Sequence, residues 1–349
     1  MADNKKTLFR FESLQIESVY VFDDGDFIIF GIHEKNQKSS LLYDRKSLTS
    51  KLKLNISSLS CFFDLKDNEF GLGIYYNFEI NKFNNNRTDF ITIQNIKVNQ
   101  FETGIKLMKL LNGHILFFKF YMGTITSSIY IKSEEKEQNQ TPLYQIHNQF
   151  RIENCDDILE LNKNEILVYK KSLLFPESLI LTILYNHNYQ TKKKNTIIAE
   201  ERKNDNKTIK KKLYFTTPLY KVNDKKIITG GAFNFYIIDL DTLELETTIK
   251  LDKIINSFLI RPKGNIFILT SQSQDSRNIH KDLNTINDRF FLENIKIDFA
   301  TNELIQKEEW DITEKTGNYS YLYKIYNYYN NGLISLTDNN LIIYDDYGD

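Results

Sequence analysis

Seven times along the chain, two short apolar runs flank a tight polar turn. The segments are FDDGDFIIF at 22–30, DLKDNEFGLGI at 64–74, LLNGHILFF at 110–118, LELNKNEILVY at 159–169, KVNDKKIITGG at 221–231, IRPKGNIFILT at 260–270 and YNNGLISLT at 329–337. Each predicts a β-hairpin, and their recurrence roughly every 40–65 residues is the spacing of a blade repeat with grown loops. A lone sheet of a few strands cannot bury its two faces, whereas several packed around an axis can.

The first repeat predicts strand a at Glu17–Phe22, a turn at Asp23–Asp26, strand b at Phe27–Ile32, strand c at Ser40–Tyr43 and strand d at Lys51–Leu54. The fifth predicts strands at Leu213–Val222, Lys226–Thr229, Phe233–Ile238 and Glu244–Lys250, ending in a c–d hairpin, IIDLDTLELETTIKL. The sixth closes in the same way with IKIDFATNELIQKEEW. YDRKSL, IDLDTL and IDFATN share a large apolar residue, Asp, two variable residues and a hydroxyl. Asp and the hydroxyl bond nearby backbone and tighten such a turn. The last unit predicts only Tyr321–Tyr326, Leu333–Leu336 and Leu341–Tyr344, while Thr7–Phe11 is a surplus β-prone run at the start. A surplus at one end and a deficit at the other predict that the N-terminal run supplies the missing outer strand, leaving no open seam.

The expected fold is therefore all-β, a seven-bladed β-propeller of four-stranded antiparallel blades closed by the N-terminal strand. It forms a single domain over 1–349, with blades at 13–55, 58–100, 104–148, 153–199, 212–251, 253–311 and 318–349 plus 6–12. Polar insertions read as solvated loops: NKFNNNRTD between b and c of the second repeat, SEEKEQNQTP between c and d of the third, and SQSQDSRNIHKDLNTINDR in the sixth, with a helical turn expected near Ile279–Ile286. Asn is abundant and tolerates φ > 0, so it is expected to stand in for Gly in many turns.

At LTDNNLIIYDD (336–346) the chain resembles the end of a WD40 repeat. On that resemblance Asp338 holds a b–c turn and Tyr344–Asp345 takes the Trp–Asp position. Tyr43–Asp44, Ile238–Asp239 and Ile297–Asp298 fall at the equivalent place, and Tyr185–Asn186 more weakly. The structural turn residues are then Asp44, Asp239, Asp298, Asp338 and Asp345. The chain departs from the family in having no Trp–Asp pair, its one Trp being Trp310, and its one Gly–His pair, Gly113–His114, lies in an a–b turn. The hydrogen-bonded network of that family is thus largely missing, and apolar packing must carry stability.

Composition narrows the function. A formal net charge of −1 argues against a surface built wholly for nucleic acid or anionic lipid. The two cysteines, Cys61 and Cys155, read as buried thiols, and no apolar run approaches the ~20 residues of a membrane span. Without a signal-peptide h-region, the expected location is cytoplasmic or nuclear. The five histidines are scattered, and the clusters Asp23/Asp24/Asp26 and Asp345/Asp346/Asp349 read as solvated turn residues. No catalytic residue, cofactor or metal is expected.

Residues 192–212 hold nine Lys/Arg against three Asp/Glu, a net +6 that the remainder balances at −7. This stretch reads as a solvated connection between the fourth and fifth repeats. Its Lys192, Lys193, Lys194, Lys210, Lys211 and Lys212 are candidate anion contacts, although no aromatic is interleaved for base stacking. The functional expectation is a non-enzymatic protein–protein interaction scaffold, a monomer or a subunit of a larger complex, whose partners are other proteins. Two alternatives stay open: a propeller enzyme with an axial site, and an adaptor for RNA or anionic membrane through 192–212.

Overall fold

The computed structural model describes residues 5–344 apart from short segments, the longest being 55–61, 98–104, 133–143, 211–217, 274–287 and 312–321. The architecture is an all-β propeller of four-stranded antiparallel blades. Strand β1 (Lys5–Arg10) precedes the first sheet, which orders β2 (Ser18–Val21), β3 (Phe27–Glu34), β4 (Gln37–Tyr43) and β5 (Ser50–Leu54). The second orders β6 (Phe62–Lys66), β7 (Glu69–Ile74), β8 (Asn77–Phe83) and β9 (Phe90–Lys97). The third orders β10 (Ile105–Lys109), β11 (Ile115–Tyr121), β12 (Thr124–Lys132) and β13 (Tyr144–Glu153). The fourth orders β14 (Asp157–Asn162), β15 (Glu165–Ser172), β16 (Ser178–Tyr185) and β17 (Thr191–Ile198), and a separate hairpin pairs β18 (Glu201–Asn204) with β19 (Lys207–Lys210).

The fifth sheet orders β20 (Tyr220–Lys221), β21 (Lys226–Gly231), β22 (Asn234–Asp239) and β23 (Leu245–Lys250). The sixth orders β24 (Ile254–Ile260), β25 (Asn265–Ser273), β26 (Asp288–Asp298) and β27 (Glu303–Asp311). The last contains β28 (Leu322–Asn327), β29 (Leu333–Thr337) and β30 (Asn340–Tyr344), and its fourth strand is β1, which pairs antiparallel with β30 from Leu8↔Ile342 to Arg10↔Asn340. No helix among the described residues is long and apolar enough to cross a membrane. The chain divides into two compact units, one of Met1–Glu12, Tyr169–Ile183 and Lys192–Asp349, the other of Ser13–Val168 and Leu184–Thr191.

Within each unit the core lies between sheets. In the second unit, Phe22, Ile28, Phe30, Leu42 and Leu54 of the first sheet pack against Phe62, Phe70, Leu72 and Phe83 of the second. The opposite face of the second sheet sets Leu65, Phe78 and Ile80 against Ile115 of the third. Gly71 lies under the Phe78 ring so closely that a Cβ there would sit 2.2 Å from the ring carbon Cζ. In the first unit, Ile266, Ile268, Ile295 and Ile297 of the sixth sheet join Phe235 and Ile237 of the fifth. Their sequence neighbours Phe267, Leu269, Phe290 and Leu292 cluster with Ile325 of the last sheet. Alternate residues thus serve opposite faces, which is why NIFILT and RFFLENIKI read as nearly unbroken apolar runs.

Two expectations are corrected. The Asn-rich NKFNNNRTD joins c to d of the second sheet, because β7 ends at Ile74 and β8 begins at Asn77. Residues 192–212 do not form a solvated loop throughout: 192–198 complete β17, and a β18–β19 hairpin follows. The expected helical turn near Ile279–Ile286, the SEEKEQNQTP loop and both cysteines lie outside the described residues.

Turn geometry explains the short links. In the first and third sheets the a–b turn closes through Phe22 N–H to Asp26 O (2.8 Å) and Leu110 N–H to His114 O (2.8 Å), with Gly25 and Gly113 left-handed. Asn acts less through φ than through its side chain. Asn112, Asn162 and Asn223 each accept from the backbone N–H two residues on, at 3.0, 2.8 and 2.8 Å. Of the Asn residues only Asn68 and Asn302 have positive φ, among the described residues.

The c–d turns place Leu48 and Leu243 at φ +56° and +58°, each four residues past Asp44 or Asp239. That conformation costs a non-glycine residue about 1–2 kcal/mol. Leu243 is fully buried, which returns about 1.5–3 kcal/mol, so burial wins there. Leu48 is only half-buried. We expect Leu243→Ala to lower unfolding free energy by about 2–4 kcal/mol, while Leu48→Gly changes it by less than about 1 kcal/mol, both read by urea titration. Equal losses would show that the two turns are not distinguished by burial.

Candidate functional site: the turn face and a basic edge strand

An antiparallel meander brings a–b and c–d turns to the same end of each sheet. In the c–d turns one closure recurs: Asp44 N–H to Thr49 O (2.9 Å), Asn84 N–H to Asp89 O (3.0 Å), Tyr185 N–H to Gln190 O (3.1 Å) and Asp239 N–H to Glu244 O (3.0 Å). By this alignment Tyr185, not Asn186, occupies the Asp position in the fourth sheet. Asp44 Oδ1 accepts from the Lys46 and Ser47 N–H groups (2.9 and 2.8 Å) and from the Ser47 hydroxyl (3.0 Å). Asp239 Oδ1 accepts from Thr242 N–H and its hydroxyl at 2.7 and 3.1 Å. Asp298 Oδ1 accepts from Ala300 N–H at 2.8 Å. Asp338 and Asp345 lie outside the described residues, as do Lys211 and Lys212.

Neighbouring turns are tied by charge. In the second unit Arg87, from the c–d turn of the second sheet, reaches Asp24 at 2.6 Å and Asp26 at 3.3 Å in the a–b turn of the first, and its guanidinium lies 4.2 Å from the Phe22 ring centre. Lys51 bonds both Asp26 and Asp44 at 2.8 Å. Asp26 is therefore a buried, paired carboxylate rather than a solvated one. A second row of contacts steps from sheet to sheet: Lys66 to Asp23 (2.9 Å), Tyr20 hydroxyl to Asp64 (2.7 Å), Lys109 to Asp67 (2.8 Å) and Leu111 N–H to Glu160 (2.6 Å).

The first unit uses buried lysines. Lys226 Nζ donates to Glu246 Oε1 (2.8 Å), Phe299 O (2.6 Å) and Asn302 Oδ1 (2.8 Å), which employs all three of its protons. Glu293 is fully buried in β26. It accepts from the Thr270 hydroxyl at 2.7 Å and pairs with Lys307 at 3.2 Å and Lys253 at 3.5 Å. Lys253 also bonds Glu309 at 2.6 Å, and Lys307 bonds Asp252 at 2.9 Å. None of Arg87, Lys226, Lys253 or Glu293 stood out in the sequence. For Glu293 a signal existed: it shares parity with Phe291, Ile295 and Ile297, and a charge on an apolar face demands a partner.

These pairings move several titrations away from neutrality. Lys51, then the Ser47 backbone, holds the Asp44 carboxyl far below the usual range. Burial alone would raise Asp24, but the Arg87 guanidinium overrides it and holds Asp24 low. The Lys307 hydrogen bond does the same for Asp252. Burial opposes the charge on Lys51 and Lys307, yet their carboxylate partners raise both. Burial, with the Asp64 carboxylate next, pushes the Tyr20 phenol well above its ordinary value. Glu160 is an exception, raised by burial that the Leu111 N–H partly offsets. Groups locked in one charge state make poor proton shuttles. The arrangement fixes a surface. No group of three or more His, Cys, Asp or Glu side chains with metal-holding geometry occurs among the described residues.

The basic stretch lies elsewhere. Lys192, Lys193 and Lys194 belong to β17, the last strand of its sheet, with Lys192 and Lys194 exposed and Lys193 half-buried. Lys210 ends β19, opposite Glu201. Asn195, between them, donates to Leu243 O at 3.1 Å.

No protein-family model matches the chain, and no curated protein matches it in sequence. Solved structures are similar in shape. One, titled the crystal structure of the mitotic checkpoint complex, matches with a TM-score of 0.59 and 9% identity over 99% of this chain and 93% of that chain. Another, Kluyveromyces lactis Hsv2, matches with a TM-score of 0.52 and 12% identity over 97% of this chain and 95% of that one. These neighbours are WD40 propeller proteins, and this chain shares the β-propeller fold with them. At such identities the likeness speaks to fold alone.

Arg87→Ala would leave Asp26, only 11% exposed at its side chain, with Lys51 and the Arg45 N–H as its remaining partners. We expect a loss of about 2–4 kcal/mol in urea unfolding, with Arg87→Lys intermediate because the planar fork is lost. A change under about 0.5 kcal/mol would show that the clamp carries no stability.

The pH profile has two limbs. Carboxyls with lowered folded values, Asp24, Asp44 and Asp252, contribute fully above their unfolded value of 3.8, and the contribution is lost as pH falls through their folded values. Tyr20, raised from 10.0, contributes fully below that pH and loses its contribution as pH rises through its folded value. The melting temperature should fall at acid and alkaline pH about a broad maximum, with Glu160, raised from 4.5, contributing below that pH and losing its contribution as pH rises through its folded value. Asp44→Asn should blunt the acid limb, and an unchanged acid limb in that variant would refute the assignment.

Proposed function

We propose that the seven four-stranded sheets are the blades of one seven-bladed propeller spanning 1–349, completed by the N-terminal strand, and that it works in the cytoplasm or nucleus as a non-enzymatic protein-interaction scaffold. One observation carries the reading: within each unit the described turns are braced by side-chain bonds and cross-sheet ion pairs into a rigid polar surface. A partner binding such a face orders few groups, so little entropy is lost. In the c–d turns Asp44, Asp239 and Asp298 brace the backbone, as Asp338 and Asp345 would at the resembling motif. On the second unit's surface Leu111 is 63% exposed, its N–H bonds Glu160, and Lys109 two residues before it bonds Asp67. An exposed apolar side chain with a polar surround matches the pattern of a partner contact, and we assign Leu111 that role. The similar structure from the mitotic checkpoint complex is itself part of an assembly.

The test is affinity capture from native lysate, followed by electron microscopy of the recovered complex to count blades and locate the partner. The wild-type chain should recover a stoichiometric partner seated on the turn face. Leu111→Glu with Asp67→Lys should lose it while the melting temperature shifts by less than about 3 °C. A chain that stays monodisperse and alone would remove the scaffold reading.

A further inference from the structure

Outer strands use their lysines in different ways. Lys51 of β5 is held by Asp26 and Asp44, and Lys307 of β27 by Asp252 and Glu293. Lys193 and Lys194 of β17 make no ion pair among the described residues. Lys192 and Lys194, exposed and two residues apart, share one side of the strand at a spacing of about 7 Å. β17 is also the terminal strand of its sheet, so one row of its backbone N–H and C=O groups faces away from β16. The hairpin that follows adds Arg202, Lys203, Lys207 and Lys210 and joins no four-stranded sheet.

We propose that β17 is a docking edge for an extended acidic segment of a partner protein. The segment adds as a fifth strand, its main chain completing the ladder and alternate Glu or Asp side chains meeting Lys192 and Lys194. The proposal rests on the scaffold reading and names the chemistry of one partner. Main-chain pairing distinguishes this ligand from other anions, since only a polypeptide can complete a strand ladder. Base stacking lacks its aromatic platform within 192–212. The cations there are eight lysines and one arginine, which act as point charges rather than the planar forks suited to bidentate phosphate recognition. The described apolar residue of β17, Ile197, is buried and gives a membrane nothing to hold.

The full chain is titrated, by fluorescence anisotropy, against a labelled peptide alternating glutamate and valine, against the same peptide N-methylated at alternate residues, against oligouridylate and against phosphatidylserine-containing vesicles. The acidic peptide should bind, weaken with salt, lose at least about tenfold on N-methylation and lose at least about tenfold with Lys192→Glu/Lys194→Glu. Both changes lie on the surface, and an unchanged melting curve shows that the variant is folded. Absence of peptide binding overturns the proposal. So does equal affinity of the N-methylated peptide, which would mean charge attraction without strand addition, or tighter binding of the RNA or the vesicles. A chain that captures a stoichiometric partner yet ignores the peptide loses the docking edge and keeps the scaffold role. A chain that binds the peptide and captures nothing keeps the edge and loses that role.

Discussion

Sheet-on-sheet apolar packing is the constraint from which the remaining features follow. Each central strand of the sixth sheet is greasy on both sides, with Ile266 and Ile268 turned one way and Phe267 and Leu269 the other. Such a strand gains nothing from water on either face, so its sheet is stable only between two others. The repeat is the consequence, because a blade that needs two neighbours cannot occur alone. Gly71 shows how close the fit is, since the Phe78 ring occupies the space a side chain would need.

Charge at the turn end solves a problem that packing creates. Bringing sheets together crowds their turns, and polar groups there lose water. Arg87 and Lys226 each meet that loss with several short contacts rather than one, and Lys253 and Glu293 are tied in the same way in the middle and at the opposite end of the sixth sheet. Buried pairs of this kind add little net free energy but penalise any other alignment, because a slipped sheet would strand a charge. The turns are thereby fixed relative to their neighbours within each unit. That rigidity makes a face of turns suited to recognition, and it holds Asp24 and Asp44 ionised under conditions where a proton-transfer residue would titrate.

Edges are treated differently from the interior. β27 is almost wholly exposed along its length, yet Lys307 and Glu309 are engaged with Asp252, Glu293 and Lys253. On β17 the exposed Lys194 makes no ion pair among the described residues. A row of lysines keeps like strands apart by repulsion, and the same row attracts a strand of opposite sign. A single device can therefore guard against self-association and select a partner.

Hairpins were legible in the chain because their signal is local. Gly25 and Gly113 sit where a left-handed residue is required, Asp44 and Asp239 sit where a side chain can close a turn, and apolar runs of strand length flank both. The pairing of β1 with β30 was legible as well, from a surplus run at one end and a missing one at the other. The b–c boundary in the second sheet was not, because no composition change marks Ile74 to Asn77 within an apolar, aromatic stretch. Nor was the strand character of 192–198, since a run of lysines looks solvated until its backbone is seen laid along a sheet. The partners of Arg87, Lys226 and Glu293 lie tens of residues away or across a sheet. Turn chemistry and strand period act over a few residues and so belong to the sequence alone. Which distant charges meet depends on how far each sheet is rotated against the next, and that is set only when side chains from separate repeats interlock.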